Sequence, residues 1–187
     1  DIHSHSDWDL LVDPRAESKV MQGVTTELNG NCGNSPAPLK DETVLLLKER
    51  VGRTEVNWDW HTLGEYLDRL EKNKLAINAA TLVGHGTVRV AVMGYERREP
   101  TQNELEEMKS LVTRSMEEGA FGLSTGLIFP PGYYSSTEEL VELCRIVARY
   151  KGFYATHIRS ESDGLIEATE EAIHISEKAG VPLQLSH

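Results

Sequence analysis

Short apolar runs alternate along the chain with longer segments whose apolar residues recur every three or four positions. The runs at 24–28, 75–83, 120–127, 153–158 and 181–186 are short and predict strands, and Ile2 is the stub of an earlier one. The segments between them predict helices. Over 62–74, Leu63, Tyr66, Leu67 and Leu70 share one face; over 101–118, Leu105, Met108, Leu111, Val112 and Ser115 do. The second of these opens with a capping box, Thr101 and Glu104. The segment 137–150 presents Leu140, Val141, Cys144 and Val147, and the one at 163–179 stops at Gly180 and Pro182. A shorter helix is expected over 14–21. Another, at 42–50, lies inside a long stretch, 29–59, rich in Gly, Asn and Pro, which is expected to fold over the active face.

Strands alternating with helices at this spacing imply βαβ units and a parallel sheet. A (β/α)8 barrel uses about 31 residues per unit, so six units need about 187, which is the length of the chain. The fold class expected is therefore α/β, an incomplete TIM (β/α)8 barrel of about six units. A doubly wound sheet is the alternative. It would place a glycine-rich phosphate turn after the first strand, where this chain has histidines.

Composition narrows the partners. With 19 basic and 30 acidic side chains the net charge is −11, which disfavours nucleic acid and anionic membrane. No apolar run reaches the roughly 18 residues of a membrane span. Two cysteines make no disulfide scaffold, and the opening DIHSHSDWD is not a leader peptide, so a cytoplasmic protein with a small-molecule substrate is expected. Both ends read as cut points in a longer chain. Metal-binding residue types stand at the very start, and the run PLQLSH has just delivered a histidine where the sequence stops.

Those histidines carry the candidate chemistry. His3 and His5 form an H-x-H pair whose members project from one face of a strand, so two imidazoles can approach one ion. Cys32, in NGNCGNS, follows the second strand and is no packing residue. It could be a soft zinc ligand, a nucleophile or an incidental thiol, and nothing nearby selects among them. His157 ends FYATH and His187 ends PLQLSH, each at the C-terminal end of a predicted parallel strand, where barrel enzymes place catalytic groups. Four histidines and a cysteine on one rim are hard to assign to chance, and together they read as a metal site.

Further residues stand near that rim. His85 in LVGHGTVR either orients substrate or bonds backbone. Arg159 either holds a substrate carboxylate or closes the loop with Glu161. Ser124 and Thr125 are expected to bond backbone, and Asp7 to support a turn or a ligand. Cys144, on an apolar helix face, is expected in the core. His61 and His174 look like ordinary helix residues.

The segments DIHSHSD, GVTTELNGNCGNSPAP, LVGHGTVR, GAFGLSTGLIFPPGYYSSTEEL, YATHIRSE and VPLQLSH together resemble the metal-dependent amidohydrolases, and more closely their D-aminoacylase, or N-acyl-D-amino-acid deacylase, branch. The resemblance implies zinc-dependent hydrolysis of the amide bond of N-acyl-D-amino acids. It implies that Cys32, His157 and His187 hold a tight zinc and that His3 and His5, with Cys32, hold a weaker second ion. It implies that the catalytic aspartate comes from strand eight, beyond His187, so that the chain is the N-terminal and central part of the barrel, without strands seven and eight or the small β-domain. Arg159, His85, Phe129 and Tyr134 are the substrate-binding candidates. The family's GLIYPPG here reads GLIFPPG, so Phe129 replaces a tyrosine hydroxyl, for which Tyr133 or Tyr134 could substitute. A cyclic amidohydrolase of dihydroorotase or hydantoinase type is the alternative, although it would normally carry a strand-four lysine, absent from FGLSTGL. A non-catalytic metal-binding remnant is the other.

Overall fold

The computed structural model describes residues 1–52 and 55–187. Its elements are α1 (Asp9–Val12), α2 (Glu17–Val20), β1 (Thr26–Asn29), α3 (Val44–Val51), α4 (Leu63–Asn73), β2 (Asn78–Thr81), β3 (Val83–Gly84), α5 (His85–Met93), α6 (Gln102–Glu117), β4 (Gly122–Gly126), α7 (Thr137–Arg149), β5 (Phe153–His157), α8 (Leu165–Ala179) and β6 (Leu183–Leu185).

Every strand pairing among the described residues is parallel. β1 pairs with β2, and β3, β4, β5 and β6 follow in that order. Leu82 alone separates β2 from β3, and its N–H donates to the Asn29 carbonyl at 2.9 Å, so the two sheets run into one another. Residues 1–4 extend the arc on the far side of β1. The Ser4 N–H reaches the Leu28 carbonyl at 3.0 Å, and the Leu28 N–H reaches that of Asp1 at 2.9 Å. Six chain segments therefore lie side by side in sequence order with helices between them, the geometry of part of a (β/α)8 barrel.

The apolar faces read from the sequence are the buried ones. Leu63, Tyr66 and Leu70 of α4, Met108 and Val112 of α6, and Leu140, Cys144 and Val147 of α7 all join one core with Val83, Leu123 and Tyr154. Capping boxes fix the starts of two helices, Thr62 with Glu65 on α4 and Thr101 with Glu104 on α6. No helix among the described residues is long and apolar enough to cross a membrane.

Two expectations need correction, and two helices come unannounced. The single strand at 75–83 is instead β2 and β3, with its first residues outside the sheet. The helix at 14–21 shrinks to one turn, because Ala16 before it takes a left-handed conformation, φ +45°, that no helix can continue. α1 and α5 carry no sequence prediction. In α5 every residue but Val92 is buried, so no polar face marks a helical period. The long stretch before α4 does carry its helix, α3. Residues 53 and 54 of that stretch lie outside the described residues. The stretch is closed at its base by Trp60 Nε1 donating to the Pro36 carbonyl, 2.8 Å, and by Leu39 N–H donating to that of His61, 2.7 Å.

Candidate metal centre

A turn at the C-terminal end of β1 builds the centre. Cys32 adopts φ +51° between Gly30 at +75° and Gly33 at +73°, and this left-handed backbone lets the turn fold back onto the rim. It lies down between β3 and β4, and glycines make the room. A Cβ on Gly33 would stand 2.8 Å from the Gly126 nitrogen, and one on Gly84 would stand 2.6 Å from the Gly33 carbonyl. One on Gly126 would stand 2.4 Å from the Cys32 carbonyl oxygen and from the Phe129 ring. Side chains then fasten the turn. Ser124 Oγ donates to the Gly30 carbonyl and accepts from Gly33 N–H at 3.0 Å. Asp7 Oδ1 accepts from Gly30 N–H at 2.7 Å. Burial raises the Asp7 carboxyl to about 7, against the opposing pull of that hydrogen bond.

The turn delivers the Cys32 sulfur to two histidines from opposite ends of the chain. Sγ lies 3.3 Å from His3 Nε2 and 3.4 Å from His187 Nε2. These three ligand atoms lie within 4.8 Å of one another. The His3 and His187 rings are 4.6 Å apart, as are those of His187 and His157, and His5 packs 5.1 Å from His3. Cys32, His3 and His187 form the compact group, while His157 and His5 join it by ring contact, so among the described residues the close trio holds His3 where Cys32, His157 and His187 were expected. The cluster suits a cation. Burial, followed by the neighbouring imidazolium charges, holds His3, His5 and His157 below the usual imidazole range; at His157 the Glu161 carboxylate opposes this. Burial, reinforced by Glu161, pushes the Cys32 thiol up to about 11. His157 Nε2 is buried with no hydrogen-bond partner, and Glu161 Oε1 stands 3.3 Å away without the alignment for one. A thiol with two imidazole nitrogens gathered within 4.8 Å, and a third imidazole packed on His187 with its ring nitrogen unpartnered, is a donor set that a soft-to-borderline divalent ion takes.

Phe129 belongs to this rim, its ring set edge-on to His157 at 5.7 Å. The other substrate-binding candidates are placed differently. His85 is fully buried. Its Nε2 bonds Glu139 at 2.7 Å, beside Arg89, whose Nη1 reaches the same carboxylate at 2.6 Å. This cluster ties α5 to α7 and so supports the Cys32 turn from behind, because Thr87 on α5 donates its N–H to the Gly33 carbonyl, 3.1 Å. Arg159 closes the loop, but with Glu171 as partner in place of Glu161. Nε and Nη2 both reach Glu171 at 2.9 Å, and other donors hold the carbonyls of Tyr133 and Ser135. Tyr134 packs on Tyr133, rings 5.7 Å apart, and touches no ligand. Cys144 is in the core, Ser124 bonds backbone as expected, and Thr125 bonds the Thr156 and Tyr154 hydroxyls. Sequence reasoning passed over Glu139, which a carboxylate next to the capping Ser136 disguises as an ordinary first-turn residue.

The sequence profile described as the amidohydrolase family matches residues 1–187. The D-aminoacylase of Alcaligenes xylosoxydans xylosoxydans is 39% identical over 190 residues, covering 100% of this chain and 38% of that protein. A D-aminoacylase structure described for its binuclear metal centre superposes with a TM-score of 0.91 at 39% identity, covering 100% of this chain and 39% of the other. The N-acyl-D-glutamate deacylase of Bordetella bronchiseptica, solved with zinc and a phosphonate mimic of the tetrahedral intermediate, gives 0.88 at 33%, covering 98% and 38%. The chain thus spans well under half the length of these relatives.

Proposed function

The chain belongs to the amidohydrolase family, on its D-aminoacylase branch, and from that premise we propose that the whole protein hydrolyses the amide bond of N-acyl-D-amino acids with zinc, residues 1–187 forming the N-terminal and central part of its barrel. The observation that carries this is the meeting of Cys32 with His3 and His187 at 3.3 and 3.4 Å. Cys32, His187 and His157 are the set proposed for a tight zinc; His3 and His5 flank it and, with Cys32, would take a second ion. Zinc, when bound, acidifies water toward neutrality and polarises a carbonyl.

The chain's own residues do the rest. His3, His5 and His157 are neutral at pH 7, since all three are held below the usual imidazole range, and offer lone pairs without losing a proton. Asp7 and Ser124 hold the Cys32 turn in place. Glu161 stands 3.3 Å from His157 Nε2 and places its negative charge beside the cluster. Phe129 sets its ring edge-on against His157 and gives that imidazole an apolar neighbour. The base that takes a proton from water is proposed to be an aspartate beyond His187.

The test is turnover by the natural full-length protein. Zinc-loaded enzyme is expected to release free amino acid from N-acetyl-D-amino acids and not from the L enantiomers. Equal turnover of both, or hydrolysis of dihydroorotate or hydantoin alone, would overturn the reading.

A further inference from the structure

The chain carries 30 acidic side chains against 19 basic ones, and most of the arginines near the rim are neutralised. Arg89 is buried against Glu139, Arg159 is forked to Glu171, and Arg98 is paired with Glu104. Arg50 differs. It lies near the end of α3, exposed, and no carboxylate among the described residues pairs with it. Its guanidinium carbon sits 5.5 Å from the centre of the Phe129 ring, and that ring is the one set edge-on to His157. Arg97 stacks on Tyr134 in a similar way, 5.9 Å from the ring centre, but Tyr134 touches Tyr133 and no histidine of the centre. Arg50 is therefore an unpaired arginine one aromatic ring away from the ligand cluster. A guanidinium held over an aromatic ring and paired with no carboxylate among the described residues keeps N–H donors available to fork a carboxylate.

We propose that Arg50 binds a carboxylate of the substrate at the mouth of the metal centre, and so helps determine which N-acyl amino acids the enzyme accepts. The inference rests on the reading of the protein as an N-acyl-D-amino-acid hydrolase. The ligand is an anionic carboxylate with two sources, the α-carboxylate that all such substrates share and the side-chain carboxylate of acidic ones. Phe129 supports the arrangement. A ring without a hydroxyl gives the guanidinium an apolar platform and does not compete for its donors.

The test compares wild type, Arg50→Met and Arg50→Lys in the zinc-loaded, full-length protein, by calorimetry and by turnover. The probes are N-acetyl-D-glutamine, with only the α-carboxylate, and N-acetyl-D-isoglutamine, with only the side-chain carboxylate. Loss of one charged hydrogen bond should raise Kd and KM about 10- to 100-fold for the probe bearing the recognised carboxylate. The other probe and kcat should be little changed, and Arg50→Lys should fall between. Which probe responds identifies the source. An unchanged Kd for both probes in Arg50→Met overturns the inference. Wild-type protein that binds a carboxylate through Arg50 but hydrolyses neither probe would reject the proposed reaction and leave the inference standing. Wild-type protein that binds neither probe overturns both.

Discussion

Cys32 and His187 are 155 residues apart in sequence and meet at 3.4 Å. Nothing in either residue's neighbourhood draws them together; the curvature of the sheet does. β1 and β6 stand near opposite ends of a parallel arc, and its curvature returns their C-terminal ends to one place. The centre is thus a direct reading of whether the arc closes, and its integrity can be followed through the metal.

Replacing Cys32 by serine should lower zinc affinity by more than the roughly 10- to 100-fold typical of losing a residue behind a ligand. Competition with a chromophoric chelator, followed by metal analysis after dialysis, measures this. Retention of one zinc per chain at wild-type affinity would remove Cys32 from the ligand set.

Zinc uptake should release one proton per ion near pH 7. In the metal-free protein the Cys32 thiol, raised to about 11, keeps its proton, while His3, His5 and His157 are already neutral. A metal that requires the thiolate must displace that proton, so affinity should rise about tenfold per pH unit between roughly 7 and 10. Calorimetry in buffers of different ionisation enthalpy counts the protons. A count of zero contradicts the thiolate assignment.

Asp7 gives the metal-free protein a pH-dependent stability of a particular sign. Its carboxyl is raised to about 7 in the folded state from 3.8, so between those values the folded chain binds the extra proton. Stability is then highest below about 4 and declines as pH rises toward 7, by a few kcal/mol on the order-of-magnitude scale of such shifts. Asp7→Asn keeps the oxygen that accepts from Gly30 and removes the charge. Its unfolding midpoint should depend less on pH over this window than the wild type's, and parallel curves would refute the role.

Glu139→Gln should be severe for a residue so far from any ligand. It leaves Arg89 buried, with 0% side-chain exposure, and without its counter-charge. Breaking a buried pair from one side costs about 3–5 kcal/mol. Urea unfolding reads the loss directly, and a change below about 1 kcal/mol would show that the Arg98 carbonyl, which Arg89 also reaches at 2.8 Å, suffices.

Much of this was legible in the chain itself. The strand ends that carry His157 and His187 follow short apolar runs, and parallel strands put their C-terminal ends on one rim; His3 had only Ile2 to announce it and lies in a segment hydrogen-bonded beside β1 but outside any strand. Cys32 was legible as an anomaly, a thiol among glycines. The partners of the rim arginines were not, because an arginine's reach spans several turns. Glu161 is nearer to Arg159 in sequence, but Glu171 reaches it from α8. His85 misled for a related reason. It follows a strand as a rim residue should, yet it opens a helix buried nearly all round, and its imidazole turns inward to Glu139. Arg50 lay in a stretch whose folding depends on contacts with Pro36, His61 and Phe129, none of which a periodicity records.

The glycine packing beneath Cys32 also divides the chain's tolerance of substitution. A Cβ on Gly33 would meet the Gly126 backbone, one on Gly84 the Gly33 backbone, and one on Gly126 the Cys32 carbonyl, so none of the three can acquire a side chain unless the turn shifts. The metal-bearing turn is locked against gradual change. α3, carried by the same excursion of chain, exposes Leu45, Leu46 and Arg50 to solvent and obeys no such interlock. A substitution on the exposed face of α3 meets none of the backbone contacts that hold the Cys32 turn, so two parts of one excursion of chain tolerate change very differently.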